Sequence, residues 1–426
     1  MGKLITAVQN FATGLLGGGF GSSKADAIPV RVGAGRYDNP KSAPVRELGY
    51  DQYLFWVAIA LLLWGCVMVY STTVALNTSP QFANYSSHHF IGRHIFSVAL
   101  ALGAAWFAFR VPMATWYKLA PYILLFALVL LIMVLIPGVG KGVKGARRWL
   151  PLGVMNFQPS ELAKVAVIFY IANYIVRRVT VVQTNFWKAV LPVAGAVGVV
   201  CGLLAAEPDL GAAVVIGVVS ISILFIGGIN ARVFFILVLV CVIAVAIGIF
   251  ASEWRRERVL AFLNPWGAKY ALGKGYQLTQ ALIAIGRGGI FGVGLGASVE
   301  KLHWLPEAHT DFILAIIGEE FGLVGIIALI VLFFWLIKRI MHIGRQAIIL
   351  EQFFSGLVAQ GIGVWLGFQT MINMGVNLGA LPTKGLTLPL MSYGGSAILM
   401  MVIALAVVLR VDYENRAMMQ GRVQNG

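Results

Sequence analysis

Residues 231–250 read Ala231-Arg232-Val233-Phe234-Phe235-Ile236-Leu237-Val238-Leu239-Val240-Cys241-Val242-Ile243-Ala244-Val245-Ala246-Ile247-Gly248-Ile249-Phe250, with a single charge at the second position. As a helix the run is about 30 Å long, the thickness of bilayer hydrocarbon. A soluble helix keeps one polar face and this run has none, so it predicts a membrane span. It stops abruptly. From Ala251 to His309 the chain is hydrophilic, opening Glu253-Trp254-Arg255-Arg256-Glu257-Arg258 and closing Leu305-Pro306-Glu307-Ala308-His309-Thr310-Asp311 at the mouth of the next apolar run.

The same alternation extends over most of the sequence. Only 12% of the 426 residues are charged and 59% are hydrophobic. A soluble domain carries about 25% charged residues, so this chain cannot cover a water-facing surface. The expected fold class is an all-α integral membrane protein with about ten transmembrane helices. The spans fall near 51–75, 90–109, 118–136, 159–177, 188–206, 210–227, 231–250, 311–337, 352–374 and 388–410, which makes 251–309 a large extracytoplasmic loop between helices seven and eight. Residues 1–49 read as a polar, basic, cytoplasmic tail with no evident signal peptide, and 416–426 as a short second tail.

The formal charge of +15 fits the positive-inside bias and anionic lipid better than nucleic acid, because so little of the chain is soluble. Cys66, Cys201 and Cys241 lie inside apolar runs, with spacing that suits neither a disulfide framework nor a metal site. With the N-terminus in the cytoplasm, Arg110, Lys118, Arg177, Arg178, Lys188, Arg232, Lys338, Arg339 and Arg345 fall in cytoplasmic connections, and an even number of spans returns the C-terminus there.

One short loop breaks the charge rule. Gly138 to Leu150 places Lys141, Lys144, Arg147 and Arg148 on the outer side. Either insertion tolerates them or they bind an anion there, with glycines admitting backbone N–H groups and arginines offering bidentate contacts. The run Gly286-Arg287-Gly288-Gly289-Ile290-Phe291-Gly292-Val293-Gly294-Leu295-Gly296 superficially resembles a phosphate loop. Without a preceding strand it reads better as re-entrant or interfacial backbone.

Thr310 or Asp311 could cap the eighth span. Alternatively, the crowding of Glu307, His309 and Asp311 at a membrane mouth could tune Asp311 into a general base. Both readings stay open. Glu319 and Glu320 lie two turns into that span, where ionisable groups are costly and pair or line an interior. Lys164, three residues beyond Glu161, is the natural counter-charge. Glu207-Pro208-Asp209 reads as a capping turn, and Arg93 as a group reaching headgroups or a substrate pyrophosphate.

The C-terminal third carries a specific resemblance. Asn373 to Ala397 includes Ala380-Leu381-Pro382-Thr383-Lys384-Gly385 and Pro389-Leu390-Met391-Ser392-Tyr393-Gly394-Gly395-Ser396. With Lys141–Trp149, Gln158–Lys164, Pro208–Gly211 and Leu305–Asp311 in order, it resembles the SEDS family of bacterial cell-wall polymerases over residues 50–415. The wording Pro306-Glu307-Ala308-His309-Thr310-Asp311 and the ending Leu409-Arg410-Val411-Asp412-Tyr413-Glu414 are closest to the division member, while His303-Trp304 departs from an expected acidic residue and tyrosine.

The resemblance implies a SEDS-type polytopic fold and a peptidoglycan glycosyltransferase that polymerises lipid II during septal wall synthesis. The acceptor 4-hydroxyl displaces undecaprenyl pyrophosphate with inversion. Asp311 matches the base of the family motif. Lys141, Lys144, Arg147, Arg148 and Arg93, with Glu307 and His309, become candidates for substrate contact. Lys164, Glu161, Glu319, Glu320, Ser392, Gly394 and Gly395 are structural or pathway candidates. No metal site is expected; a divalent cation, magnesium or manganese, riding with the pyrophosphate is the only cofactor considered. The implied partners are lipid II, a class B penicillin-binding protein of the FtsI-like transpeptidase type and other divisome membrane proteins, in the bacterial inner membrane. The competing readings are a lipid II flippase and an elongation-type polymerase.

Overall fold

The computed structural model describes residues 49–420 apart from 75, 77–85, 87, 144–145, 152, 154–155 and 179–185. Lys144, and all but the last residue of the expected N-terminal tail, lie outside the described residues. The elements are α1 (Gln52–Thr73), α2 (His89–Arg110), α3 (Met113–Leu135), β1 (Lys141–Val143), β2 (Ala146–Pro151), β3 (Asn156–Phe157), α4 (Pro159–Arg177), α5 (Phe186–Ala206), α6 (Leu210–Ile226), α7 (Ala231–Phe250), α8 (Glu253–Leu263), α9 (Tyr276–Gly288), α10 (Ile313–Ile349), α11 (Phe353–Asn377) and α12 (Gly395–Met419).

Among the described residues, seven helices are long and apolar enough to cross a membrane: α1, α2, α3, α4, α7, α10 and α12. The other three expected spans coincide with α5, α6 and α11. In the first two the apolar stretches, Val190–Ala206 and Leu210–Ile226, are shorter. The third has 25 residues and carries Gln360, Gln369, Asn373 and Asn377 because protein, rather than lipid, surrounds it. It packs against α4, α6, α10 and α12. The helix of the opening sequence is the opposite case. On α7 only Val233 is buried, and Phe235, Ile247 and Phe250 are exposed, as a lipid-facing helix requires.

Several boundaries differ from the expected ones. Pro112 supplies extended backbone before α3, which therefore starts at Met113 and contains Lys118. Helix α10 continues through Lys338, Arg339 and Arg345, and Arg339 pairs with Asp51, which caps α1. Helix α12 starts only at Gly395. It then runs on past 410, where Arg410–Glu414 and Asp412–Arg416 form ion pairs at 2.7 Å across one helical turn.

The all-α expectation misses a small sheet. The 141–157 region forms three antiparallel strands in the order β1-β2-β3, pairing Lys141 with Trp149 and Leu150 with Phe157. The long 251–309 segment is not simply a loop either, since it contains α8 and α9.

The glycine-rich run that follows α9 is docked backbone to backbone into α10. Gly322, at φ 65°, interrupts that helix. In an unbroken helix the N–H groups of Leu323 and Val324 would donate to Glu319 and Glu320. Here Leu323 N–H donates to Gly289 O at 3.0 Å and Val324 N–H to Ile290 O at 3.1 Å. The released carbonyls of Glu319 and Glu320 accept from Val293 N–H at 2.9 Å and Gly294 N–H at 3.0 Å. Two helical bonds are thus replaced by four inter-segment bonds, so the break leaves none of these groups unsatisfied. Only glycine admits the approach. A Cβ at Gly292 would stand 2.2 Å from Glu320 O, and one at Gly322 would stand 2.4 Å from Gly292 N.

Candidate functional site

A cavity of about 430 Å³ with several charged groups on its wall opens at the end of the bundle where α4, α6, α10 and α12 begin. Its wall is assembled from β2, the 207–212 turn, α8, the 307–312 segment and the 382–387 segment. Helices α4 and α12 start without a side-chain cap, and α10 without one from its own N-cap residue, so the first N–H groups and positive dipole ends of α4 and α12 favour an anion there. Helix α6 differs. Asp209 Oδ1 accepts from Ala212 N–H at 3.2 Å, the capping role expected for that turn.

Asp311 is half-buried on the cavity wall. It does not cap α10, whose N-cap position is Phe312 and lacks a side-chain bond. The acceptor is instead Asn377 on α11, whose Oδ1 takes Ala315 N–H at 3.2 Å. Nδ2 of Asn373 and of Asn377 donate to the Asp311 carbonyl at 2.9 and 3.0 Å. The Asp311 backbone is thereby clamped. Gly385 lets the facing segment pass close by, because a Cβ there would lie 3.1 Å from Asp311 Oδ2.

The preceding turn is formed by Glu307, whose φ is 60°. Its carbonyl accepts from Thr310 N–H at 3.1 Å and its Oε2 from Thr310 Oγ1 at 2.9 Å. Glu307 lines the cavity. His309 is absent from the lining and serves elsewhere. Its carbonyl accepts from Tyr393 N–H at 2.9 Å, and its ring lies against Tyr393 and Phe90, with centroids at 5.5 and 6.1 Å.

Among the described residues, Arg148 is the only one of the expected cations that lines the cavity. Its guanidinium is committed to the turn opposite, donating from Nε to Glu207 O at 3.2 Å and from Nη2 to Pro208 O. Arg147, its neighbour on β2, is exposed, as the alternation of a strand dictates. Lys141 and Arg93 are exposed as well and do not line the cavity, although Arg93 is near enough to oppose the rise in the Tyr393 pKa caused by burial.

The cations that do stand in the cavity with Asp311 are Arg255 and Arg258 on α8 and Lys384. Burial draws the Arg258 pKa down, and the Asp311 carboxylate opposes this. Lys384 is lowered by burial, then by the neighbouring Arg255 and Arg258. These shifts mark a crowded positive cluster beside Asp311. Sequence reasoning passed over these residues, yet the i,i+3 spacing of Arg255 and Arg258 already puts them on one helical face.

The buried charges are partnered differently from expectation. Lys164 does not meet Glu319 or Glu320. It pairs with Glu161 Oε2 at 2.8 Å and donates to Gln369 Oε1 at 3.0 Å. Glu319 receives Arg287 Nη1 at 2.9 Å, and Glu320 receives Lys301 Nζ at 2.6 Å. Glu161 and Gly394 reach the cavity lining. Ser392 Oγ accepts from Leu388 N–H at 2.8 Å, shaping the turn that leads through Gly394 and Gly395 into α12. Among the described residues no group of three or more His, Cys, Asp or Glu could hold a metal ion.

Fold and site together define a multi-pass helical membrane protein with an anion-adapted chamber at the mouth of its bundle. The chain belongs to the cell cycle protein family of FtsW, RodA and SpoVE, whose family model matches residues 51–417. It is 56% identical over 376 residues to a probable peptidoglycan glycosyltransferase FtsW of Burkholderia thailandensis, covering 88% of this chain and 81% of that protein. A protein of the same name from Thiomonas intermedia is 51% identical over 395 residues, covering 92% and 95%. Among solved structures, a chain from work on the structural coordination of polymerization and crosslinking by a peptidoglycan synthase complex matches with a TM-score of 0.70 and 29% identity, covering 87% of this chain and 99% of that one. The rod shape determining protein RodA of Thermus thermophilus matches with a TM-score of 0.62 and 27% identity, covering 89% and 100%.

Proposed function

We propose that this chain is a peptidoglycan glycosyltransferase that polymerises lipid II into glycan strands during septal wall synthesis. The observation that carries the reading is Asp311 placed beside Arg258, Arg255 and Lys384 in one cavity at the helix N-termini. Inverting transfer needs a base at the acceptor hydroxyl and positive charge at the departing pyrophosphate. Asp311 takes the proton of the acceptor 4-hydroxyl as that oxygen bonds to the donor's anomeric carbon. The bond to undecaprenyl pyrophosphate breaks on the opposite face, and the departing charge falls to Lys384, Arg258, Arg255 and the helix ends. Arg148 holds the hairpin against the 207–208 turn as part of the wall.

Lys141, Arg147 and Arg93, exposed outside the chamber, would meet headgroups or the second substrate's phosphates. Asp311 and Glu307 do not make a three-ligand metal set. A divalent ion arriving with the pyrophosphate would supply charge neutralisation to the leaving group, with Asp311 and Glu307 as carboxylates on the same wall.

The lysine and arginine distribution supports cytoplasmic termini with the cavity on the outer face of the inner membrane. The relatives' name supports the septum as the place of action. A class B penicillin-binding protein transpeptidase is the proposed partner, in keeping with the synthase complex that the fold resembles; other divisome membrane proteins would complete the assembly. Transport is disfavoured, because Lys164 and Glu320 are consumed in buried pairs and Glu319 in a pair with the exposed Arg287. The test is polymerisation of lipid II by the purified chain in detergent, where no leaflet has to be crossed. Wild type is expected to make glycan and Asp311→Asn none. Full synthesis by the variant would overturn the reading.

A further inference from the structure

Glu319 and Glu320 take no part in the chemistry proposed above, yet both are buried two turns inside a membrane helix. At 0% and 1% exposure, both carboxylates face protein. What they touch is the chain that leads to Asp311.

Glu319 Oε1 accepts from Val299 N–H at 2.9 Å and from Arg287 Nη1 at 2.9 Å, while Oε2 accepts from Ser298 Oγ. Glu320 Oε1 accepts from Lys301 Nζ at 2.6 Å and from Ser71 Oγ of α1 at 2.7 Å; Lys301 Nζ also donates to Ser71 Oγ at 2.9 Å. The same two residues give their backbone carbonyls to Val293 and Gly294 across the Gly322 break. Side chain and main chain of one dipeptide therefore bind the loop from 287 to 301 at two successive levels. The loop is held below by the break and above by the carboxylates, and ten residues further on it delivers Asp311.

We propose that Glu319 and Glu320 are positioning residues for Asp311, anchoring the 288–301 segment inside α10 so that the helix following Asp311 also fixes the chain preceding it. The anchor rests on the reading of Asp311 as the catalytic base. Its physical rationale is precision, since a misplacement of about 1 Å at a reacting group can cost about a hundredfold in rate. The break at Gly322 is the means. A continuous helix would keep the Glu319 and Glu320 carbonyls for itself and leave the loop without a seat. A salt bridge on an exposed loop would not hold a carboxylate to that tolerance, because surface pairs are weak and mobile.

The experiment combines kinetics and amide exchange on the full chain in detergent. Glu319→Ala removes the acceptor for Val299 and Ser298. It is expected to lower kcat for lipid II polymerisation about tenfold or more, with KM within about twofold. Glu319→Gln keeps Oε1 for Val299 and Arg287, and the Ser298 hydroxyl can rotate to accept, so it is expected to retain most activity. A wild-type kcat in Glu319→Ala, or a loss carried entirely by KM, would overturn the proposal. Hydrogen exchange in the wild type is an independent arm should the alanine variant not fold. The amides of Val293, Gly294, Leu323 and Val324 are expected to exchange as slowly as the α10 interior, and rapid exchange there would equally overturn it. Activity surviving in Asp311→Asn would instead sink the catalytic reading, whatever the amides show.

Discussion

The side-chain amide of Asn377 holds both sides of the entrance to α10, donating to the Asp311 carbonyl at 3.0 Å and accepting from Ala315 N–H at 3.2 Å. A residue on α11 thus does the work that a local N-cap would otherwise do. Asn377 is itself wholly buried. Replacing it by alanine strands the buried Ala315 N–H, at a cost of about 1–3 kcal/mol, and leaves the Asp311 carbonyl with Asn373 as its one remaining amide donor. Asn377→Ala is expected to lower thermal stability and to reduce kcat through loss of the Asp311 geometry. Asn377→Asp keeps the acceptor for Ala315 but loses the donor, so it should recover stability only in part. Thermal unfolding and polymerisation rates measured on both variants check the order.

The cavity separates two sets of cations that the sequence presents alike. Lys384 and Arg258 stand with Asp311, whereas Lys141 and Arg147 are exposed outside. A donor preorganised toward developing charge is worth about a hundredfold in rate, far more than a screened surface charge. Lys384→Ala is therefore expected to lose about two orders of magnitude in kcat/KM. Lys141→Ala and Arg147→Ala should stay within about threefold, with the difference shrinking further at high salt. Steady-state kinetics at two ionic strengths distinguish the sets, and equal losses in all three variants would count against the chamber as the pyrophosphate site.

The contrast shows which parts of this protein are legible in its residues. The spans are, because a run such as Ala231–Phe250 is decided by length and apolarity alone. Asp311 is, because a carboxylate at a membrane mouth is conspicuous. Lys384, Arg255 and Arg258 escape notice because their meeting depends on the 382–387 segment folding over α8, which no local pattern announces. The partners of Glu319 and Glu320 are hidden for the same reason. The Gly322 break exchanges bonds with residues about thirty positions earlier, a distance over which helical periodicity carries no information. Lys164 misled in the other direction, since Glu161 was already its neighbour one turn away.

Gly385 tests how closely the chamber is fitted. A Cβ at that position would press on Asp311 Oδ2 at 3.1 Å, so the carboxylate or the 382–387 segment must yield by a few tenths of an ångström. Gly385→Ala is expected to leave folding intact, because the residue is exposed. Its kcat should fall about tenfold through displacement of the base. An unchanged kcat would mean that Asp311 has room to adjust.

Glu207 supplies a pH dependence with a defined sign. It is fully buried at the α5–α6 turn, and among the described residues neither carboxylate oxygen has a hydrogen-bond partner. Burial, then the neighbouring Asp209, pushes its pKa from 4.5 up to about 8, against the pull of Arg148. The folded state thus favours the neutral acid. The stability this contributes is fully present below the unfolded pKa of 4.5 and is lost as pH rises through about 8. Wild-type stability should decline across that window with a slope of at most about 1.4 kcal/mol per pH unit from this one proton. Glu207→Gln should remove the slope. Thermal unfolding in detergent from about pH 5 to pH 8.5 is the measurement, and identical slopes in the two proteins would exclude Glu207 as the titrating group.

The pair Lys164–Glu161 should obey a different arithmetic. It lies wholly inside the protein at 2.8 Å, with Gln369 and the Trp365 ring completing the lysine's surroundings. Two charges taken out of water gain little net stability, but removing one partner leaves the other uncompensated at a cost of about 3–5 kcal/mol. Lys164→Met and Glu161→Gln should each destabilise strongly by thermal unfolding, and the double variant should be milder than either alone. Activity need not follow stability, because Glu161 lines the cavity and Lys164 does not. If Glu161 contacts the substrate, the stable double variant remains slow; if the pair only joins α4 to α11, activity returns along with the fold.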